Sequence, residues 1–98
     1  MAKEEKKSVR LQIMTPQELL FSGEVESLVV SAFDGEEGFL PGHVWCNTLL
    51  AERGQVKFRE PGAGAYRIAD IKRGFVDIKD DFLVFTEDAK WHTEADAK

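Results

Sequence analysis

Apolar residues recur at every second position near the start of the chain. Val9, Leu11 and Ile13 are separated by polar residues. This period of two is typical of a β-strand that buries one face. The Thr15-Pro16 pair follows, and because proline cannot donate a backbone hydrogen bond we expect the strand to end there.

Short apolar segments separated by turn-forming residues continue along the chain. The sequence EPGAG predicts one hairpin connection, Asp80-Asp81 predicts a second, and Ser22-Gly23 predicts a turn or bulge. Segment 44–52 is compatible with a short helical turn or with a strand. The polar tail admits one short helix that begins near Thr86 or Glu87. The predicted strands are 9–14, 19–21, 25–33, 56–59, 66–71, 74–79 and 82–86.

This succession of strands and turns, at spacings of about eight to twelve residues, predicts an all-β fold, either a sandwich or a barrel. At 98 residues the chain has the length of one domain. We place that domain at residues 9–89, between a charged N-terminal tail at 1–8 and a short C-terminal tail at 90–98.

The charge balance restricts the class of partner. The chain carries 18 acidic and 13 basic side chains, for a net charge of −5. Nucleic acid is therefore not expected as a partner, because phosphate contacts need a basic face. The N-terminal lysines are interrupted by glutamates, which favours a solvated tail over an arm that binds a membrane surface. No apolar run approaches the ~20 residues of a membrane span, and no signal peptide is recognisable, so we expect a soluble cytosolic protein.

The residues that could carry catalysis are few. Cys46 is the only cysteine, and its spacing from His43 and His92 favours neither a nucleophilic pair nor a zinc site, so we expect it to be a small packed side chain. The neighbouring carboxylates Glu36-Glu37 and Asp80-Asp81 would point to opposite faces of a strand. The glycine-rich stretches lack the lysine of a phosphate-binding loop. The sequence thus predicts no enzyme, no metal and no cofactor.

The most distinctive segment is GEEGFLPGH, at residues 35–43. Its three glycines allow backbone angles that other residues avoid, and its proline fixes one φ angle. The composition therefore predicts a shaped, inflexible loop of the kind that presents side chains to a partner.

Three stretches together resemble a known family. DGEEGFLPGH is similar to a loop of the epsilon subunit of bacterial F-type ATP synthase, which is called delta in mitochondria. LQIMTPQELLFSGEVESLVV resembles the opening of that family, and KRGFVDIKDDFLVFTEDA resembles the closing strands of its first domain. Order and spacing agree over roughly residues 9–89.

The resemblance implies a small β-sandwich of about ten short strands that performs no chemistry. In that family the domain sits at the foot of the central stalk, where it binds the gamma subunit and the c-ring and couples ion transport to ATP synthesis. The expected location is the cytoplasmic face of the inner membrane, reached through the complex. Isolated from its partners, such a domain exposes the covered surface, and a homodimer is then one expected form.

The resemblance also assigns roles to individual residues. Glu36 corresponds to the carboxylate that faces the ring, and His43 to the histidine that lies near gamma and the ring. Pro41 and Gly42 stiffen and turn the loop, and Thr15 falls where the family has a small hydroxyl residue near the same interface. Three of these residues have a simpler interpretation. Glu36 would then be a solvated glutamate, His43 a cap of the loop, and Thr15 the end of its strand.

Two departures leave alternatives open. Val44-Trp45-Cys46 replaces the usual Ala-Pro-Leu, so Trp45 either docks on gamma or fills the core of the sandwich. Arg73-Gly74 replaces a Gly-Gly pair, which puts a close backbone approach there in doubt. Only 87–98 follow the last predicted strand, too few for the inhibitory, ATP-binding helical hairpin of longer members. The alternative function is a free-standing β-sandwich that binds another protein.

Overall fold

The computed structural model describes residues 8–42 and 45–92. All its regular elements are strands. Within these ranges there is no helix. The strands are β1 (Val9–Met14), β2 (Leu19–Val25), β3 (Ser27–Ala32), β4 (Gly35–Phe39), β5 (Cys46–Leu49), β6 (Gly54–Arg59), β7 (Arg67–Ile78) and β8 (Phe82–Trp91).

The strands form two layers because the two longest strands pass through both. The strand order is β2-β1-β8-β7-β6-β3-β4, with β5 also paired to β7. Residues 75–78 of β7 pair with β5, whereas 67–71 pair with β6. We call β2, β1, β5 and the adjoining halves of β8 and β7 the front sheet. The back sheet contains the other halves of β7 and β8, with β6, β3 and β4.

A corner joins the two sheets at Arg73, Gly74 and Thr86. Arg73 has φ 38° and Gly74 has φ 130°, both in the region that L-residues avoid. A Cβ atom on Gly74 would overlap the carbonyl oxygen of Phe85, so the two strand backbones lie very close together here. The buried Thr86 hydroxyl accepts a hydrogen bond from the Lys72 amide (3.2 Å) and lies 2.6 Å from the Arg73 carbonyl oxygen, which it can donate to. The Thr86 side chain thus supplies hydrogen bonds at the point where the backbone pairing between β7 and β8 bends.

The core lies between the inward faces of the two sheets. Phe39 of the back sheet meets Phe82 of the front sheet, with ring centroids 6.4 Å apart. At the other side Phe21 packs on Phe58, with centroids 4.4 Å apart. Burial of these apolar side chains is the main favourable term in the folding of the domain.

Most of the predicted strands and both predicted hairpins are confirmed. Strand 9–14 is β1, EPGAG joins β6 to β7, and Asp80-Asp81 joins β7 to β8. The close approach at Gly74, which the sequence left in doubt, is present. Of the two options for segment 44–52, the structure has the strand, β5.

The described ranges contain eight strands, and because β7 and β8 each supply a segment to both sheets, the two sheets have the ten short segments that were expected. Four other expectations need correction. Segment 35–43 is not one loop, because its first five residues form β4. The helix near Thr86 does not form, since β8 pairs with β7 as far as Trp91; residues 93–98 lie outside the described ranges. Ser22-Gly23 lies inside β2 and pairs regularly with β1; the irregularity comes at Leu20, the extra residue of β2 opposite Ile13 and Met14. Cys46 is exposed, not packed.

Candidate functional site

Only the second part of the predicted loop, after Phe39, is a loop in the structure, and it connects the outermost strand of the back sheet to the outermost strand of the front sheet. β4 pairs on one side only, with β3, and ends at Phe39, which is buried and anchors the loop. Leu40 is exposed, Pro41 is half-buried, and Gly42 has φ 84° with open space around it. Glycine tolerates that angle without steric cost, so the loop turns there. His43 and Val44 lie outside the described residues.

Glu36 lies on the solvent-facing side of β4. Its carboxylate is 3.6 Å from the Lys57 ammonium, and its side chain is 60% exposed. A surface pair of this kind contributes little to stability, on the order of 0–1 kcal/mol. The carboxylate can therefore exchange Lys57 for an external cation at small cost.

A side-chain contact holds the two ends of the loop together. The Thr48 hydroxyl of β5 donates a hydrogen bond to Glu37 Oε1 of β4 at 3.4 Å. The contact joins the front and back sheets across the mouth of the sandwich. Sequence reasoning missed it because Glu37 and Thr48 are 11 residues apart with no shared motif.

Trp45 is 62% exposed. This exposure excludes the alternative in which it fills the core of the sandwich. With Leu40, which is 61% exposed, it places two large apolar side chains on either side of the undescribed pair 43–44. An exposed tryptophan beside a stiff loop is a residue type that dominates protein–protein contacts.

Thr15 lies elsewhere and has local partners. Met14 pairs with Phe85, which places Thr15 beside the corner, whereas Trp45 precedes Cys46, which pairs with Ile78 at the other end of the front sheet. The buried Thr15 hydroxyl accepts hydrogen bonds from the amides of Gln17 (3.2 Å) and Glu18 (3.1 Å). The loop thus carries Pro41, Gly42 and Trp45. Glu36 lies before it on β4, and Thr15 lies near the corner.

The structure also reveals a surface that the sequence did not predict. A line of apolar side chains crosses the outer face of the front sheet, one from each of its five strand segments. Residues paired directly across neighbouring strands share a face. The pairs are Leu19 with Met14, Met14 with Phe85, Phe85 with Phe75, and Phe75 with Leu49, and we call these five residues the apolar row.

The back sheet carries a polar outer face. Its cross-strand neighbours Gln55, Asp70 and His92 form one network, in which Asp70 bonds to Gln55 at 3.2 Å and to the His92 ring at 3.1 Å. Partial burial raises the pKa of Asp70, but the hydrogen bonds from His92 and Gln55 outweigh it and leave the pKa below its ordinary value. A cleft of about 430 Å³ beside this network mixes cations and carboxylates: Arg53, Lys72, Lys90, Asp70 and Asp88.

Groups that would support metal chemistry or membrane insertion were sought in the described ranges. There, no group of three or more His, Cys, Asp or Glu residues is placed to hold a metal ion. Among the same residues, no helix has the length and apolar character needed to cross a membrane.

Comparison with curated proteins identifies relatives that share most of this chain. The ATP synthase epsilon chain of Caldanaerobacter subterraneus subsp. tengcongensis is 28% identical over 91 residues, which are 92% of this chain and 64% of that protein. The epsilon chain of Alkaliphilus oremlandii is 31% identical over 90 residues, 91% of this chain and 65% of that one. This chain thus spans less than two thirds of these relatives. The epsilon chain of Frankia casuarinae is 33% identical over 70 residues, 71% of this chain and 80% of that one.

Solved structures share the fold. A chain in the cryo-EM structure of the Euglena gracilis mitochondrial ATP synthase OSCP/F1/c-ring aligns with a TM-score of 0.82 at 19% identity, covering 97% of this chain and 61% of that one. A chain of the Tetrahymena thermophila mitochondrial ATP synthase central stalk and c-ring aligns with a TM-score of 0.68 at 11% identity, covering 90% and 69%. The model of the β-sandwich domain of the ATP synthase delta/epsilon chain matches residues 8–92, which include every described residue. This chain therefore belongs to the family of ATP synthase delta/epsilon-chain β-sandwich domains.

Proposed function

We propose that this chain is a non-catalytic, epsilon-type subunit of the central stalk of an F-type ATP synthase. It binds the gamma subunit and the c-ring, and through them it couples ion transport to ATP synthesis. The observation that carries the proposal is the match of the family model over residues 8–92. The fold shared with a chain of the Euglena OSCP/F1/c-ring assembly supports the same role.

The geometry of the loop suits a contact that carries torque. A torque-bearing contact must not shear, and this loop is fixed by a buried phenylalanine at one end, a proline in the middle and the Thr48–Glu37 hydrogen bond across its base. Glu36 offers an accessible carboxylate, which suits guanidinium or ammonium groups on a partner. Trp45 supplies a large exposed apolar side chain at the far end of the loop. We assign Glu36, Pro41, Gly42, His43 and Trp45 to the partner interface and keep Thr15 as its outermost member.

In this proposal the chain meets the membrane at its cytoplasmic face, only through the c-ring and the stalk.

The proposal is tested by recovering the tagged chain from gently solubilised membranes of its own cells and identifying the proteins that co-purify. Recovery of gamma, the catalytic head and the ring is the expected result. A matched variant, Glu36→Leu, removes the accessible carboxylate, and we expect it to lower the ratio of ATP made to ions moved while the domain stays folded. Asp88→Leu, on the back sheet, is its control and should leave that ratio unchanged.

Recovery of unrelated proteins without any ATP synthase subunit would contradict the proposal. It would favour the alternative, a free-standing interaction module with an epsilon-type fold.

A further inference from the structure

We propose that a cleft at the end of the back sheet that carries the EPGAG hairpin binds a small aromatic carboxylate. The cleft has a volume of about 310 Å³ and lies between the start of β7 and the end of β8. The His92 amide donates a hydrogen bond to the Ile68 carbonyl oxygen at 2.9 Å, which holds these two strand ends together. The lining residues are Tyr66, Arg67, Ile68, Trp91 and His92.

The cleft is separate from the loop that we assign to the stalk interface. In the back sheet, strands β3 and β6 lie between β4, which ends where the loop begins, and β7, which begins with Arg67. Binding of a small ligand in the cleft therefore does not depend on the proposed stalk function.

Arg67 occupies a position where the alternation of β7 predicts an apolar residue. It is an odd-numbered residue of this part of the strand, like Ile71, which is buried in the core. The central carbon of its guanidinium lies 4.3 Å from the centre of the Trp91 ring, 5.5 Å from that of Phe21 and 5.7 Å from that of Phe58. Cations are attracted to the faces of aromatic rings at such distances. The three rings thus hold the guanidinium in place before any ligand binds.

The hydrogen-bond donors of this guanidinium are largely unused. Within residues 8–42 and 45–92, its one polar contact is with the Glu60 carboxylate at 3.6 Å, which is longer than a hydrogen bond. Both side chains of the pair are partly exposed, so an external anion can replace Glu60 at small cost. A planar guanidinium stacked on rings presents its N–H edge, and that edge binds a carboxylate through two parallel hydrogen bonds.

The surrounding charges favour a ligand with a single negative charge. Glu60 lies 3.6 Å from Arg67, and Asp70 lies 3.1 Å from the His92 ring in the wall of the cleft. A doubly charged phosphate would face two carboxylates for one guanidinium, so repulsion disfavours it. His92 adds no second donor, because its Nδ1 faces Asp70 and a neutral ring protonated there has no proton on Nε2. Arg67 is therefore the residue that binds the carboxylate.

The other walls select the body of the ligand. The Tyr66 ring is 47% exposed, and its position is fixed by two contacts. Its hydroxyl lies 3.5 Å from Ser27 Oγ, and the Arg59 guanidinium lies over its ring, 5.8 Å from the centre. Ile68 and Trp91 add apolar surface to the same cleft. A flat aromatic ring packs on such walls better than a flexible aliphatic chain, which loses more conformational freedom when it binds.

The experiment is an NMR titration of the isotope-labelled chain with benzoate, followed by the backbone amide signals. We expect benzoate to shift the amide signals of Arg67, Ile68 and His92 with a Kd on the order of a few millimolar, as suits so small a ligand. Benzamide, which has nearly the same shape but no charge, should bind at least about tenfold more weakly. Acetate, which keeps the carboxylate but lacks the ring, should also bind at least about tenfold more weakly.

Three variants test the residues. Arg67→Gln should raise the Kd for benzoate at least about tenfold, because it removes the charged fork. Arg53→Gln is the matched control: Arg53 is also exposed, but it precedes Gly54, at the opposite end of the pairing between β6 and β7, and its Kd should stay within about twofold. Glu60→Gln removes the competing carboxylate and should lower the Kd about two- to fivefold, a gain that loss of structure could not produce. The amide spectrum of each variant shows whether it is folded.

Four results would overturn the proposed site. They are an absence of benzoate shifts at the cleft, equal Kd values for benzoate and benzamide, an unchanged Kd in Arg67→Gln, and a Kd that does not fall in Glu60→Gln. None of them bears on the stalk function, which the co-purification experiment tests separately.

Discussion

The front and back sheets have the same number of strand segments, yet their outer faces differ in composition. The back sheet presents Gln55, Asp70 and Lys57, joined to neighbours by hydrogen bonds and an ion pair. The front sheet presents the apolar row. Strands β7 and β8 contribute residues to both faces. The difference in composition therefore arises partly within single continuous strands. It arises where those two strands change the side that they turn to the core.

That change occurs at the corner. Before it, Ala69 and Ile71 of β7 point inward; after it, Val76 and Ile78 do. The alternation therefore shifts by one residue between odd and even positions, at Arg73 and Gly74, where φ is positive. Without the shift, Phe75 would face the core and Val76 the solvent. The corner thus decides which side chains form the apolar row.

The largest expected effect comes from removing the corner. In Gly74→Ala the new methyl group would collide with the Phe85 carbonyl oxygen, and alanine disfavours φ 130°. We expect the free energy of unfolding to fall by about 4 kcal/mol, a large share of the roughly 5–15 kcal/mol that keeps a small domain folded. Urea titration followed by tryptophan fluorescence measures it.

Gly62→Ala is the control for that variant. Gly62 also has a positive φ, 79°, but nothing lies within 4 Å of its added Cβ. It should therefore lose only the conformational cost, about 1–2 kcal/mol. Equal losses in the two variants would show that the close approach at the corner is unimportant.

The next largest effect compares a buried leucine of the core with an exposed leucine of the apolar row. Leu28 of β3 is fully buried and Leu49 of β5 is 61% exposed. Leu28→Ala should lower the free energy of unfolding by about 2–5 kcal/mol, because it leaves a cavity. Leu49→Ala should lower it by only about 0.5 kcal/mol, because an exposed side chain loses few packing contacts. A Leu49→Ala loss as large as that of Leu28→Ala would make the row a part of the core.

The sequence predicted those parts of the fold that depend on neighbouring residues, and missed those that depend on pairing between distant strands. Strand β1 and both hairpins follow from local alternation and from turn residues, which are short-range patterns. The continuity of β8 past Thr86 is different. It depends on pairing with β7, and nothing in the local polar composition of 87–91 indicates it. Tertiary pairing overrode a weak helical preference there.

The candidate site divides in the same way. Pro41 and Gly42 predicted the shaped loop, because their effect on the backbone is intrinsic. The exposure of Trp45 and the apolar row were not predicted, since each depends on which face a strand turns outward. The signal that could have revealed the row was Phe75 beside Val76: two apolar neighbours on one strand cannot both be buried in a sheet with one covered face.

The smallest expected effect lies on the polar face. Asp70 has a pKa below its ordinary value, so its contribution to stability is present above the pKa of an unfolded aspartate, about 3.9, and is lost as the pH falls through the lower folded value. Because the Asp70 side chain is 36% exposed, solvent screens the contribution, and Asp70→Asn should cost less than about 1 kcal/mol at neutral pH. The difference between the two proteins should shrink below about pH 4 and vanish in stronger acid, as urea titrations across that range would measure. Asp80→Asn, at the exposed β7–β8 turn, is the matched control and should show no such convergence. A persistent gap for Asp70→Asn in acid would mean that the side chain acts through packing rather than charge.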